Sequence, residues 1–382
     1  MRKFMTRAIC VSVIAIIGMM GITGCGKTLD GTQTVATIDG EKVPVGVASF
    51  ALRYSQAQSA SYFQQLAALY GEGLSAPSWD SINEGETKTT GELTKDDVMK
   101  RVEEMYVVRA HAKEYNVEIS ATEKEAIAAA AKTFIDKNTT SILRRMGVTQ
   151  SDVETYLELE TYYKKMYEPM LEDKGISVTD EEAKQSTVSY IFASINEEDN
   201  EEARMKLQNL LDELKKEEDI ATFDMQAFTE ENDETLMATT ASFGDNEEEG
   251  TGLDDAVKEA AKTLKDGELY QEVIEGANGG GYFIVRMDKV SDEEATESKR
   301  ESLLNEKKQT AFTDEVTKWT EAADIKVEDT VWGEVKLVDK EAYVVKPEPT
   351  PEATAEPVAP ELETESGPVE GEGSEAEVEP AQ

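Results

Sequence analysis

Apolar positions follow a helical period through the first half of the chain and change texture near Gly175. Before the helices begin, Val35-Ala36-Thr37-Ile38 alternates ahead of Asp39-Gly40, and Glu41 to Val45 follows. An Asp-Gly pair between two short apolar runs predicts a β-hairpin, since both turn residues accept positive φ. From Gly46 to Tyr70 the positions Phe50, Leu52, Tyr54, Tyr62, Phe63, Leu66 and Leu69 predict a helix with a Gln/Ser/Ala-rich middle. Residues 71–92, rich in Gly, Ser, Thr and Glu, read as a loop. Thr94 with Asp97 then has capping-box form, and the stripe Val98, Val102, Met105, Val108, Ala112 carries a helix to Asn116. Ser120 and Thr122 start another helix that Gly147 ends, and Ser151 opens one carrying Val153, Leu157, Tyr162, Met166 and Met170.

Beyond Gly175, Ser189 to Ile195 is strand-like by its β-branched and aromatic content, and Glu201 to Lys216 is amphipathic through Ala203, Leu207, Leu210, Leu211 and Leu214. A strand at Thr239 to Phe243, a helix at Leu253 to Leu264 and a strand at Tyr282 to Met287 complete a β-α-(α)-β-α-β order, the signature of a compact α+β domain. A long helix from about Glu293 to Ala323 follows, and Ile325 to Val338 reads as irregular or strand-like. Residues 347–382 hold seven of the ten prolines, eleven glutamates and no basic residue, the composition of a disordered acidic tail.

Composition narrows the chemistry. The 382 residues carry 39 Lys and Arg against 80 Asp and Glu, a net charge of −41, which disfavours nucleic acid as a partner. Arg2, Lys3 and Arg7 precede an apolar run from Ala8 to about Met20, then Gly21-Ile22-Thr23-Gly24-Cys25. That run is shorter than the ~20 residues a spanning helix needs, so it reads as an export signal. Small residues before Cys25 resemble a bacterial lipobox, which implies cleavage ahead of Cys25 and a lipid on its thiol. Removing residues 1–24 takes away three positive charges and turns −41 into −44, leaving the acyl chains as the membrane attachment. The other cysteine, Cys10, lies in the signal, so no disulfide, thiolate nucleophile or Cys-based metal site is expected. His111 is the single histidine. It lies mid-stripe between Ala110 and Ala112 with no Gly-x-Ser-x-Gly elbow in the chain, which argues for packing or a surface position rather than a hydrolase. Neither a metal nor a cofactor is expected.

Several collinear segments resemble one family. Val188 to Ala193 (VSYIFA), Val257 to Val273 (VKEAAKTLKDGELYQEV) and Gly281 to Arg286 (GYFIVR) are similar to the first strand, the helix with its Gly-Glu turn and the closing strand of parvulin-type peptidyl-prolyl isomerases. With the Asp39-Gly40 hairpin, Gly147 to Tyr167 and Ile176 to Glu182, the arrangement over about 35–338 resembles the PrsA/SurA class of exported foldases. That resemblance implies a mostly helical chaperone domain with an inserted parvulin-like α+β domain. The bounds it implies are a signal peptide 1–24, a lipidated tether 25–33, a helical domain 34–178 completed by 291–338, the parvulin-like domain 179–290, and the tail 339–382.

It also implies where chemistry would sit. Parvulins place two histidines on the active-site floor beside a Cys or Asp. Here those positions are Tyr190, Phe283 and Glu231, Leu253 and Val257 would line the proline pocket, and the family's Gly-rich segment shrinks to Ala241-Ser242-Phe243-Gly244. The family's buried polar network cannot be rebuilt from Tyr190 and Phe283, because a phenylalanine has no hydrogen-bonding group. The expectation is a membrane-anchored extracytoplasmic foldase or chaperone, of Gram-positive type, binding unfolded or nascent secreted polypeptides with weak or absent isomerase activity. An active peptidyl-prolyl isomerase is the alternative. A solute-binding lipoprotein of a transporter is a further one, though two lobes of alternating strands and helices would be needed for it.

Overall fold

The computed structural model describes residues 28–70, 78–172, 174–194, 200–233, 235–245, 252–277 and 280–337. The segment expected as a signal peptide, Cys25 and the segment expected as an acidic tail lie outside these residues. Strands β1 (Thr34–Ile38) and β2 (Glu41–Pro44) form the expected hairpin, with φ of 47° at Asp39 and 82° at Gly40. Helix α1 (Val45–Tyr70) leads to α2 (Thr90–His111), which starts four residues before the expected Thr94. Thr89 and Glu92 form the capping box instead, and the Gly91 N–H bonds the Trp79 carbonyl, so the first turn is already satisfied there. Helix α2 gives way to a 3-10 turn at Ala112–Tyr115 and a left-handed Asn116.

The helix expected to run to Gly147 is two helices, α3 (Ala121–Lys137) and α4 (Thr140–Met146). Asn138 is extended and bonds back to the Phe134 carbonyl while Thr139 caps α4, so two polar side chains meet the backbone groups that the break exposes. Helix α5 (Gln150–Leu171) and the short α6 (Asp180–Ala183) follow. The α+β part comprises β3 (Ser186–Ser194), α7 (Asn200–Leu214), α8 (Met225–Asn232), β4 (Met237–Phe243), α9 (Asp255–Ala261), β5 (Ile274–Glu275) and β6 (Gly281–Lys289). The chain then returns through α10 (Glu293–Ala322), β7 (Ile325–Val327) and α11 (Asp329–Trp332). Both sheets are antiparallel, ordered β2-β1-β7 and β4-β3-β6-β5, which is not the paired-lobe architecture of a solute-binding protein.

The helical part has one core around Phe50, Leu52, Met105, Met146 and Leu159, into which Trp332 and Val335 insert from the far end of the chain. A second core joins α2 and α5 to α10 through Val108, Met166, Phe312 and Val316. Phe312 meets the Tyr163 and Tyr167 rings at 5.1 and 5.2 Å. His111 stacks flat on Trp319, 4.1 Å between ring centres, with Nδ1 3.0 Å from Glu114. Residues expected as a tether are partly docked: the Leu29 N–H bonds the Arg144 carbonyl, and Gly31 lies so close to Gly147 that a Cβ there would sit 1.7 Å from its carbonyl oxygen.

Where the chain crosses between the two parts, the contacts are polar. Arg300 bonds the Val178 carbonyl and Asp180, and Lys307 bonds Ser177 and Glu182. The hydrogen bond from Lys307, helped by the Thr179 backbone N–H, holds the Glu182 carboxyl down at about 2. Because a depressed carboxylate pKa stabilises above the unfolded value of 4.5 and that support fades as pH falls toward 2, this crossing weakens in acid.

The three tryptophans, Trp79, Trp319 and Trp332, all lie in the helical part, so their fluorescence reads its unfolding. A chain stopped after residue 340 is expected to melt within a few degrees of the full chain. One stopped after Ala323 loses β7, Trp332 and Val335, and deleting two buried side chains of this size removes several kcal/mol. Equal melting of the two truncations would refute the closure of this core by the C-terminal segment.

Candidate functional site

The four-stranded sheet carries a core on each face, and the alternation of β3 and β6 decides which side chain goes where. Ile191, Ala193, Tyr282 and Ile284 face α7 and α8, while Val188, Tyr190, Phe192, Phe283 and Val285 face α9. On the α9 side the sheet and the start of the helix leave an open cleft of about 370 Å³. Its floor is Tyr190, Phe192 and Phe283, its outer edge Met237 and Thr239 of β4, and its opposite wall Gly252 to Asp255. The Phe192 and Phe283 rings lie 4.9 Å apart, and Tyr190 and Phe283 are 6.0 Å apart. This packing depends on Gly281, since a Cβ there would fall 2.2 Å from the Phe192 ring.

Asp254 fixes the wall. Its carboxylate accepts the Ala256 N–H at 2.8 Å as the cap of α9 and the Ala277 N–H at 3.1 Å from the loop after β5. Leu253, only 6% exposed, is thereby held against the aromatic floor. On the opposite face Arg286 braces the same sheet. It bonds Asp288 at 2.7 Å, the Ile220 and Phe223 carbonyls at 2.8 and 2.6 Å, and Ser189 at 3.2 Å, while Ser189 in turn donates to Asp288.

The structure brings Tyr190, Phe283 and Leu253 together around one cleft and separates the other two expected residues from it. Val257 is fully buried in the core behind the wall and does not line the cleft. Glu231 is exposed on α8, whose buried Met225 packs on the opposite sheet face. The resemblance implies a place beside the floor for it, but Phe228 to Glu231 are helical and the chain returns to the sheet only at Met237. Sequence reading missed Phe192, Thr239, Met237, Asp254 and Asp255. Phe192 follows from Tyr190 by the period of two, and Thr239 is Tyr190's direct cross-strand partner. Asp254 carried an N-cap signal just ahead of the helix. Among the described residues no group of three or more His, Cys, Asp or Glu side chains is placed to hold a metal ion, and no described helix is long and apolar enough to cross a membrane.

Fold and cleft together define a mostly helical protein carrying an antiparallel α+β unit with an open apolar cleft on one sheet face. No family model matches the chain, and no curated protein matches it. Among solved structures it is similar to the foldase protein PrsA from Lactococcus lactis, at 15% identity and a TM-score of 0.32 over 79% of this chain and 97% of that one. It is likewise similar to the peptidylprolyl isomerase PrsA from Bacillus cereus, at 19% identity and 0.29 over 67% and 95%. The third is the foldase protein PrsA from Streptococcus pneumoniae, at 18% and 0.31 over 67% and 98%.

The brace is testable. Arg286→Met leaves two loop carbonyls without this donor and Asp288 with the Ser189 hydroxyl in place of a guanidinium, and breaking a buried charged network of this kind costs about 3 kcal/mol. Urea unfolding of the α+β part, followed by tyrosine fluorescence or amide exchange, is expected to shift by that amount. An unchanged midpoint would mean the network contributes nothing.

Proposed function

We propose that this protein is a membrane-anchored, extracytoplasmic holder of unfolded exported polypeptides whose parvulin-like cleft binds apolar and prolyl segments and accelerates their isomerisation little or not at all. The observation that carries the reading is the aromatic floor. Tyr190, Phe192 and Phe283 with Leu253 present an open apolar surface to an extended chain. Prolyl isomerisation crosses a barrier near ~18–20 kcal/mol, and a site lowers it only by binding the twisted amide more tightly than the planar one. Phenylalanine at 283 offers dispersion to both forms equally, and Tyr190 is the one floor residue able to donate a hydrogen bond.

Aggregation suppression and prolyl isomerisation, measured side by side on the soluble chain from residue 26, test this. The expected result is suppression that falls several-fold on Leu253→Asp, with isomerisation close to the uncatalysed rate. Isomerisation well above that rate, abolished by Tyr190→Phe, would instead establish the active isomerase.

The anchoring rests on the sequence before residue 26. A diacylated Cys25 would supply stable attachment, because burial is worth roughly 0.8 kcal/mol per CH₂ and a single chain is marginal. Cys25→Ser is expected to move the protein from the membrane fraction to the medium. Retention in the membrane after a high-salt wash would exclude lipid anchoring at this residue.

A further inference from the structure

Among the described residues the cleft carries charge of one sign. Apart from Tyr190, the described ionisable side chains that line it are Asp254 and Asp255, both on the wall facing the aromatic floor. Asp254 is fixed in place by the backbone N–H groups of Ala256 and Ala277, so its charge cannot swing away. Asp255 pairs with Lys258 at 3.3 Å, but unevenly: the lysine side chain is 8% exposed and the aspartate 34%. Asp255 thus lines the cleft while the Lys258 side chain is buried.

We infer that the cleft selects polypeptide segments in which a lysine or arginine stands beside an apolar or prolyl residue, and rejects segments flanked by acidic residues. The inference rests on the reading of this cleft as a polypeptide-binding site. Apolar contact with the floor supplies affinity without regard to charge, and the two carboxylates decide which flanks can follow the apolar residue in. A lysine or arginine suits this arrangement because its aliphatic stem can lie along the aromatic floor while its head reaches the wall.

The same rim bears on the chain's own prolines. Seven of ten lie in 347–382, tethered to the cleft at high effective concentration, and each has a glutamate within two positions. A neutral cleft would be open to them. An acidic rim disfavours every one, which keeps the cleft available to chains of opposite charge.

Fluorescence anisotropy with the full chain tests this, using labelled peptides of one Phe-Pro core flanked by lysine, serine or glutamate, and a peptide of residues 347–361. At low ionic strength the lysine peptide is expected to bind about 10-fold more tightly than the glutamate peptide, the gap narrowing to about 2-fold in 0.5 M salt. Asp255→Asn is expected to shrink the lysine-to-glutamate ratio about 3-fold, as one of two rim charges is lost. Glu125→Gln, the same change of net charge on exposed α3, should leave the ratio unaltered. The 347–361 peptide should bind as weakly as the glutamate peptide. Equal binding of the three flanked peptides, or a ratio untouched by Asp255→Asn and Asp254→Asn alike, overturns the charge selectivity and leaves the cleft reading standing. Failure of all peptides to bind, or serine-peptide binding that survives Leu253→Asp, overturns the cleft reading and this inference with it.

Discussion

Pairing of β7 with β1 is the contact on which the helical part depends. It sets Ile325 opposite Ile38 and Val327 opposite Ala36, and it is locked at both ends by hydrogen bonds from Asp39 to Asp324, from Asp324 back to the Asp39 side chain, and from Glu328 to Val35. Only then do Trp332 and Val335 reach the core formed by α1, α2 and α5, where Arg53 and Lys95 bond the Lys336 and Trp332 carbonyls. Loop-closure entropy rises slowly, by about 0.6 kcal/mol per doubling of length, so closing over nearly the whole folded chain is affordable against burial of a tryptophan. The cost falls on folding rate rather than stability. The α+β part, contiguous from β3 to β6 with cores on both faces of its sheet, needs no such closure and is expected to form first.

That independence explains how the cleft keeps its shape. Its floor consists of residues from the two central strands, paired with each other over most of their length and braced from behind by Arg286. The wall is a helix start capped by Asp254 and packed on the sheet through Leu253 and Val257. Under the proposed role, an apolar floor with a fixed wall suits ground-state binding. It lacks the matched pair of polar floor groups that would distinguish a twisted amide from a planar one.

Much of the fold was legible because local signals agreed with tertiary packing. The Asp39-Gly40 hairpin, the Ser120 cap, the Leu207 to Leu214 stripe and the apolar β6 each carry a pattern that one physical mechanism explains. Errors arose where two signals of equal local strength competed. Thr89-Glu92 and Thr94-Asp97 both have capping-box form in sequence, and contact between Gly91 and Trp79 favours the first, leaving Thr94 inside α2 with its hydroxyl on the Thr90 carbonyl. Asn138-Thr139 could continue a helix or break it, and the buried Asn138 side chain favours the break. The resemblance set Tyr190 and Phe283 on strands, where a period of two keeps them on one sheet face, while Glu231 and Val257 lie on helices, where it did not hold. Helical rotation carries Glu231 to solvent and Val257 into the core.

The junction between the parts follows from the same insertion. Because the chain leaves and re-enters the helical part at one place, both crossings lie together. They are joined by Asp292 to Gln185, Thr187 to Asp292, and the Arg300 and Lys307 contacts with α6. Exposed ion pairs of this kind contribute about 0–1 kcal/mol each and are screened by salt, whereas the cores on either side are apolar. Polar junctions between domains permit relative motion as their ordinary behaviour. A cleft mounted on such a junction can turn toward or away from the helical part without either core opening, so under the polypeptide-holding role proposed above, capture and release need not cost stability.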